Sequence, residues 1–309
     1  MIKMGYDEFK SELQKAVVRF LKPECTFSIN TSFLPNRCFE VLTVKKPNTK
    51  DDTGVNVDLE KMFALYQSCG SFGKVLQHIV DIVNFESRLG NYCLEDVLAR
   101  AREEVFPCLI NTDLNKEFLK TVPHREFLDL SVIYKVGLAD AGGAVTINSA
   151  VLKRMGMTED ELYLAALSNV VGLNGFSVNS LDSKLKCKCN GIDARTVYRS
   201  RKELETIELP VVDEIPAYCV EDAHGRNGVS ALLIPDLWRG VARSLGESVY
   251  ILPSSLNELL FMKKSSCRYS SYIVDTIREV NKMEVAVEDF LSDNLYFYNK
   301  DTGEISIVA

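Results

Sequence analysis

Apolar residues first recur at helical spacing: Phe9, Leu13, Val17, Phe20 and Leu21 line one face of an N-terminal segment that Pro23 ends. The period then changes. The β-rich runs "CTFSIN" (25–30) and "CFEVLTV" (38–44) flank a short segment holding Pro35 and Asn36, which predicts a hairpin or a close strand pair. "VNVDLEKMFALYQSC" (55–69) predicts a short strand running into a helix. In "SFGKVLQHIVDIVNFESRL" (71–89), Val75, Ile79, Ile82 and Phe85 share a helical face, and His78 lies beside it as a surface or boundary histidine.

Helices and strands go on alternating without a steady βαβ rhythm. "LEDVLARAREEV" (94–105) predicts a helix, "FPCLIN" (106–111) a strand, "LNKEFLKTV" (114–122) a short helix and "EFLDLSVIYKVGL" (126–138) one long strand. The glycines of Asp140-Ala-Gly-Gly favour a hairpin into "AVTIN" (144–148), with no helix N-terminus there to receive a phosphate. Two helices follow, one with Ser149 as its expected N-cap and one opened by Thr158 and Glu161 at capping-box spacing. Farther on, "AYCVED" (217–222) and "VSALLIP" (229–235) read as paired strands, and "DLWRGVARSLG" (236–246) as a helix that Gly246 terminates. "SVYILP" (248–253) and "ELLFMKK" (258–264) read as strands, "SSYIVDTIREVNK" (270–282) as a helix and "VAVEDFLSD" (285–293) as a further helical turn or two. "LYFYN" and "EISIV" close the chain as a hairpin across Asp301-Thr-Gly. Hairpin strands interleaved with helices indicate an α+β fold, with mixed α/β as the variant.

Between Gly172 and about Pro210 the pattern degrades and charge segregates. Lys184, Lys186, Lys188, Arg195, Arg199, Arg201 and Lys202 stand against Asp182 and Asp193, and an acidic run from Glu203 to Asp222 follows. This reads as a linker, giving an N-terminal α+β lobe at 1–175, a basic-then-acidic connector at 176–212 and a C-terminal α+β lobe at 213–309.

Composition adds bounds. With 309 residues, 46% hydrophobic and 26% charged, the chain is an average globular protein able to bury a sizeable core without disulfides or metal. A net charge of −7 argues against wholesale coating of nucleic acid or anionic membrane, though not against a local basic patch. The nine scattered cysteines fit reduced thiols rather than a disulfide framework. With no signal-peptide pattern and no membrane-length apolar run, the expectation is a cytoplasmic protein without membrane contact.

The familiar chemistries meet obstacles. Ser254 and Ser255 follow a strand, but Pro253 and Leu256 flank them where a nucleophile elbow needs glycines. They read as turn residues. Only His78, His124 and His224 are available as bases. No P-loop, dinucleotide fingerprint or H-E-x-x-H zinc motif occurs. Cys187 and Cys189 have one residue between them, closer than paired zinc ligands, and nothing places Cys219 or His224 nearby, so no metal and no cofactor is expected.

Two segments remain. In "VPHREFLDL" (122–130), His124, Arg125 and Asp129 form a polar set at the start of a strand, either an anion or carboxylate site or an ion pair orienting the strand. The basic stretch with Tyr198 fits phosphate contact in a nucleic-acid groove, or pairing with the acidic run beside it.

Three stretches together, "VPHREFLDLSVIY", "LGESVYILPSSLNELLF" and "IREVNKMEVAVEDFLSDNLYFYNKDTGEI", resemble a bacterial domain-of-unknown-function family of uncharacterised proteins. The resemblance spans roughly residues 55–309 and includes "VTINSAVLKRMGMTEDELYLAALSNV". It implies no activity. It does mark Glu258 as part of a signature, with Asn257 standing where members often have histidine.

The resulting expectation is a binding or regulatory protein acting through protein or nucleic-acid contacts, the latter through Lys184, Lys186, Lys188, Arg195, Tyr198, Arg199, Arg201 and Lys202. The competing class is an enzyme centred on His124, Arg125 and Asp129, which a pocket uniting them with Glu258 or His224 would favour.

Overall fold

The computed structural model describes residues 4–20, 25–45, 54–86, 94–138, 143–190, 196–212, 214–253, 255–267 and 270–308. The side chains of 85, 86, 94, 96, 138, 143, 187–190 and 270 lie outside that description. The fold is α+β, and among the described residues its strands form three antiparallel sheets. The chain divides into two compact units, 1–99 and 100–309.

The first unit contains α1 (Tyr6–Phe20), β1 (Thr26–Leu34), β2 (Arg37–Lys45), β3 (Val55–Asp58), α2 (Leu59–Cys69) and α3 (Phe72–Glu86). Phe9, Leu13 and Val17 of α1 are buried with Leu42, Val44 and Val57 of the sheet β1-β2-β3 and with Val75 and Ile79 of α3. Phe20, expected on that face, is exposed. Leu34 pairs with Arg37 across the two-residue turn Pro35-Asn36, and Asn36 takes φ 60°, the conformation a type II turn needs at that place. His78 is exposed, as read from its spacing.

In the second unit, after α4 (Leu94–Glu104), come β4 (Val105–Asn111), α5 (Lys116–Leu119), β5 (Arg125–Phe127), β6 (Leu130–Leu138), β7 (Gly143–Thr146), α6 (Ser149–Met155) and α7 (Glu159–Asn174). Then follow β8 (Phe176–Ser180), α8 (Leu181–Asn190), α9 (Arg201–Glu205), β9 (Tyr218–Asp222), α10 (Pro235–Leu245), β10 (Val249–Leu252), β11 (Glu258–Lys263), α11 (Ser270–Glu284), β12 (Tyr296–Tyr298) and β13 (Ile305–Ile307). β6 pairs β4 on one side and β5 and β7 on the other, while the larger sheet runs β13-β12-β10-β11-β9-β8.

That larger sheet has two unlike faces. The register places Tyr218, Phe261, Ile251 and Tyr298 on one face, where Tyr218 stacks on Phe261 and Trp238 of α10 meets Phe261 edge-on and lies against Tyr298. Gly240 lets α10 approach α9 closely: a Cβ there would sit 2.0 Å from the Leu204 carbonyl oxygen. The opposite face carries Ser177, Cys219, Glu221 and Glu258 at the β8-β9-β11 end. Ile273, Val274 and Ile277 of α11 cover Tyr250, Leu252 and Met262 at the other end.

Four local expectations change. The run "EFLDLSVIY" is a hairpin rather than one strand: β5 and β6 pair Phe127 with Leu130 around Leu128 and Asp129, and Leu128 takes φ 56° in place of glycine. "VSALLIP" forms a buried 3₁₀ segment, Gly228–Leu233, because an apolar run buried on all sides carries no period to separate strand from helix. Asn148, not Ser149, caps α6, its side chain accepting from the Val151 amide at 2.8 Å. The unit boundary falls at 99/100, whereas the expected division after 175 lies inside the second unit, where β8 pairs fully with β9. The glycine turn at 139–142 and Ser254 lie outside the described residues. Thr158 and Glu161 form the expected capping box.

Candidate functional site

α8 starts abruptly where β8 ends. The Ser180 hydroxyl accepts from the Ser183 amide at 3.2 Å, and the Asp182 carboxylate accepts from the Ile215 amide at 3.2 Å. These bonds fix the first turn of α8 beside β9. Lys184 consequently reaches back over the sheet, and its side chain is only 11% exposed.

Three acceptors meet the Lys184 ammonium. It donates to Glu221 Oε1 at 2.7 Å, to Cys219 Sγ at 3.2 Å, and to Glu258 Oε2. Cys219 and Glu221 lie two apart on β9 and so share a face, and Glu258 is the cross-strand partner of Glu221. Cys219 Sγ is 3.7 Å from Glu258 Oε2, and ligand atoms of all three residues lie within 4.8 Å of one another. Ser177 faces Glu221 from β8. Its hydroxyl is buried and has no hydrogen-bond partner among the described residues.

The segment before β11 sets Glu258 in place. The Asn257 amide bonds the Ser255 hydroxyl at 3.2 Å, and the Asn257 carbonyl accepts from the Gly228 amide at 2.9 Å. Gly228 is required there, since a Cβ would lie 2.3 Å from the Asn257 carbonyl oxygen and 3.0 Å from Glu221 Cα. Ser255 thus acts in the turn, in line with its sequence context.

His124, Arg125 and Asp129 each turn to a different partner. His124 Nδ1 is 3.0 Å from the Val122 carbonyl oxygen. Arg125 reaches the first turn of α7, donating to both carboxylate oxygens of Glu159 at 2.6 and 3.3 Å and to Asp160, with its guanidinium over the Tyr163 ring. Tyr134 also donates to Glu159, and burial followed by that bond holds its phenol well above the ordinary range. Asp129 accepts from Ser292 at 2.6 Å, from Asn294 at 3.0 Å and from Tyr296, tying the hairpin turn to the chain before β12. Glu258 belongs with Lys184, and His224 is exposed in the turn after β9.

The basic residues also separate. Lys184 is drawn into the sheet face. Arg199 donates to the Gly172 and Leu173 carbonyls at the end of α7, and Arg201 bonds Asp236 at 2.7 Å and the Leu167 carbonyl at 2.9 Å. Tyr198 is half-buried in a backbone bridge with Phe176. Lys186 and Lys202 are exposed, while Arg195 and the side chain of Lys188 lie outside the described residues, as do the side chains of Cys187 and Cys189. Sequence reasoning singled out Lys184 and Glu258 separately. The signal joining them to Cys219 and Glu221 was the period-two spacing of Cys219 and Glu221 in "AYCVED", which sets both on the face opposite Tyr218 and Val220.

No helix among the described residues is long and apolar enough to cross a membrane. The chain belongs to a family of unknown function, DUF5688, whose model matches residues 6–300 and so takes in both units. No curated protein and no solved structure matches.

Proposed function

We propose that this chain is a binding and regulatory protein whose second unit takes a thiophilic divalent cation at Cys219, Glu221 and Glu258. The observation that supports the reading is the Lys184 ammonium itself, a cation held at one point by one thiol and two carboxylates. Replacing a buried ion pair with apolar residues is often neutral or stabilising, so stability alone gives no reason for a lysine and two glutamates here. The donor spacing suits a metal. Tetrahedral zinc with its usual bond lengths sets sulfur and oxygen ligands roughly 3.5 Å apart, and Cys219 Sγ and Glu258 Oε2 are 3.7 Å apart.

Sulfur and few protein donors favour zinc-class ions over calcium or magnesium, which take six or more oxygens. The orphan Ser177 hydroxyl stands beside Glu221 to bond a metal-held water. Binding frees the ammonium and releases the Cys219 proton to solvent. Lys184 then joins exposed Leu185 and Lys186 on the surface of α8, which is where a protein or nucleic-acid partner would read the change.

Cobalt(II) titration of the full, tag-free chain tests this reading. A thiolate-to-cobalt charge-transfer band should appear, vanish in Cys219→Ser, persist in the Cys187→Ser/Cys189→Ser variant, and form at tenfold or more lower cobalt in Lys184→Met. Lys184→Gln serves if the methionine variant folds poorly. A band indifferent to Cys219, or an affinity indifferent to Lys184, would sink it.

A further inference from the structure

A second site lies away from the Lys184 cluster, in a cavity of about 230 Å³ at the C-terminal end of α10. It is lined by Arg239, Ala242, Arg243, Gly246, Tyr298 and Lys300. Three of these six residues are cationic and none is acidic, in a chain whose net charge is −7. α10 brings Arg239 and Arg243 onto one side of the cavity, since residues four apart in a helix share a face. Lys300 is held at the end of α10 by donating to the Gly246 carbonyl at 2.9 Å, and its own amide bonds the Ser248 hydroxyl at 3.1 Å. The Arg239 guanidinium also bonds Asp236 and lies 3.8 Å from Glu205, so Arg243 and Lys300 carry most of the uncompensated charge.

The independent sign is Tyr298. Its side chain packs beside Trp238, it is 1% exposed, and its hydroxyl is buried without a hydrogen-bond partner among the described residues. A buried hydroxyl left unpaired costs about 1–3 kcal/mol, and a phenol that lines a cationic cavity gains its missing acceptor when an anion enters.

We propose that this cavity binds a phosphate dianion, either inorganic phosphate or the phosphoryl group of a small phosphomonoester. The three acceptor oxygens of a phosphoryl group match the tyrosine hydroxyl, an arginine fork and the lysine ammonium. The volume admits a small ligand only, being below the usual range for drug-sized pockets.

The test is the thermal unfolding of the full chain at fixed ionic strength with inorganic phosphate, O-phosphoserine, sulfate, acetate or chloride. The site requires a saturable rise in Tm with phosphate or O-phosphoserine that chloride and acetate do not give, and the stronger of the two names the source. Arg243→Gln/Lys300→Gln should weaken the response tenfold or more. Tyr298→Phe is the diagnostic variant, because it keeps the ring and removes only the unpaired hydroxyl. It should leave the anion-free protein as stable as the wild type or more so, while weakening the phosphate response several-fold. An equal response to chloride, or a phosphate response unchanged in Tyr298→Phe, overturns the proposal.

Discussion

The second unit builds two clusters from the same recipe, one cation against two carboxylates, and puts them to different use. Arg125 bonds Glu159 and Asp160, and its side chain is 35% exposed while that of Asp160 is 81% exposed. Lys184 bonds Glu221 and Glu258 with side-chain exposures of 11%, 14% and 26%. The first cluster clamps the β5 strand to the first turn of α7, where carboxylates also suit the helix dipole. The second joins α8 to β9 and β11 of the larger sheet and adds a thiol. Desolvation separates them: an exposed pair fastens, whereas a withdrawn one holds charge that another cation could claim.

The largest effect should come from disturbing the frame beneath Lys184 without touching any charged group. Gly228→Ala forces a methyl against the Asn257 carbonyl and Glu221 Cα, and should cost about 3 kcal/mol in chemical denaturation. Neutralising both carboxylates, Glu221→Gln with Glu258→Gln, strands the Lys184 ammonium and should cost about 2–3 kcal/mol. Arg125→Gln, the matched change in the exposed cluster, should cost about 1 kcal/mol or less. If the two charge deletions proved equally costly, the contrast between the clusters would collapse.

A pH titration sharpens the comparison from the Arg125 side. The Tyr134 phenol is raised by burial and by its bond to Glu159, so the folded protein keeps that proton longer than the unfolded chain does. Stability should therefore hold below the unfolded phenol pKa of about 10 and fall as pH rises beyond it. Tyr134→Phe should remove part of that alkaline slope, read from denaturation midpoints between about pH 8 and 11.

Much of the fold was legible because period and punctuation agree. The Thr158–Glu161 capping box, the Gly246 helix stop with φ 78°, and the final hairpin all follow from local chemistry. "VSALLIP" and Leu128 misled for the same reason: long-range packing selected a conformation that local preference did not. The site was half legible. Lys184 sat in a charge run and Glu258 in a family signature, but only the pairing of Glu258 with Glu221, set by strand order, brings them together. Conversely, His124, Arg125 and Asp129 are neighbours in sequence, and the tight turn at Leu128 and Asp129 lets their side chains reach separate partners.

The central claim is that Lys184 occupies a place a metal ion can take. Amine acylation of the full chain, followed residue by residue by mass spectrometry, measures this directly. Without metal, Lys184 should react far more slowly than exposed Lys202, and saturating cobalt(II) should bring its rate up toward that of Lys202. A Lys184 that stays protected with cobalt bound would contradict the account.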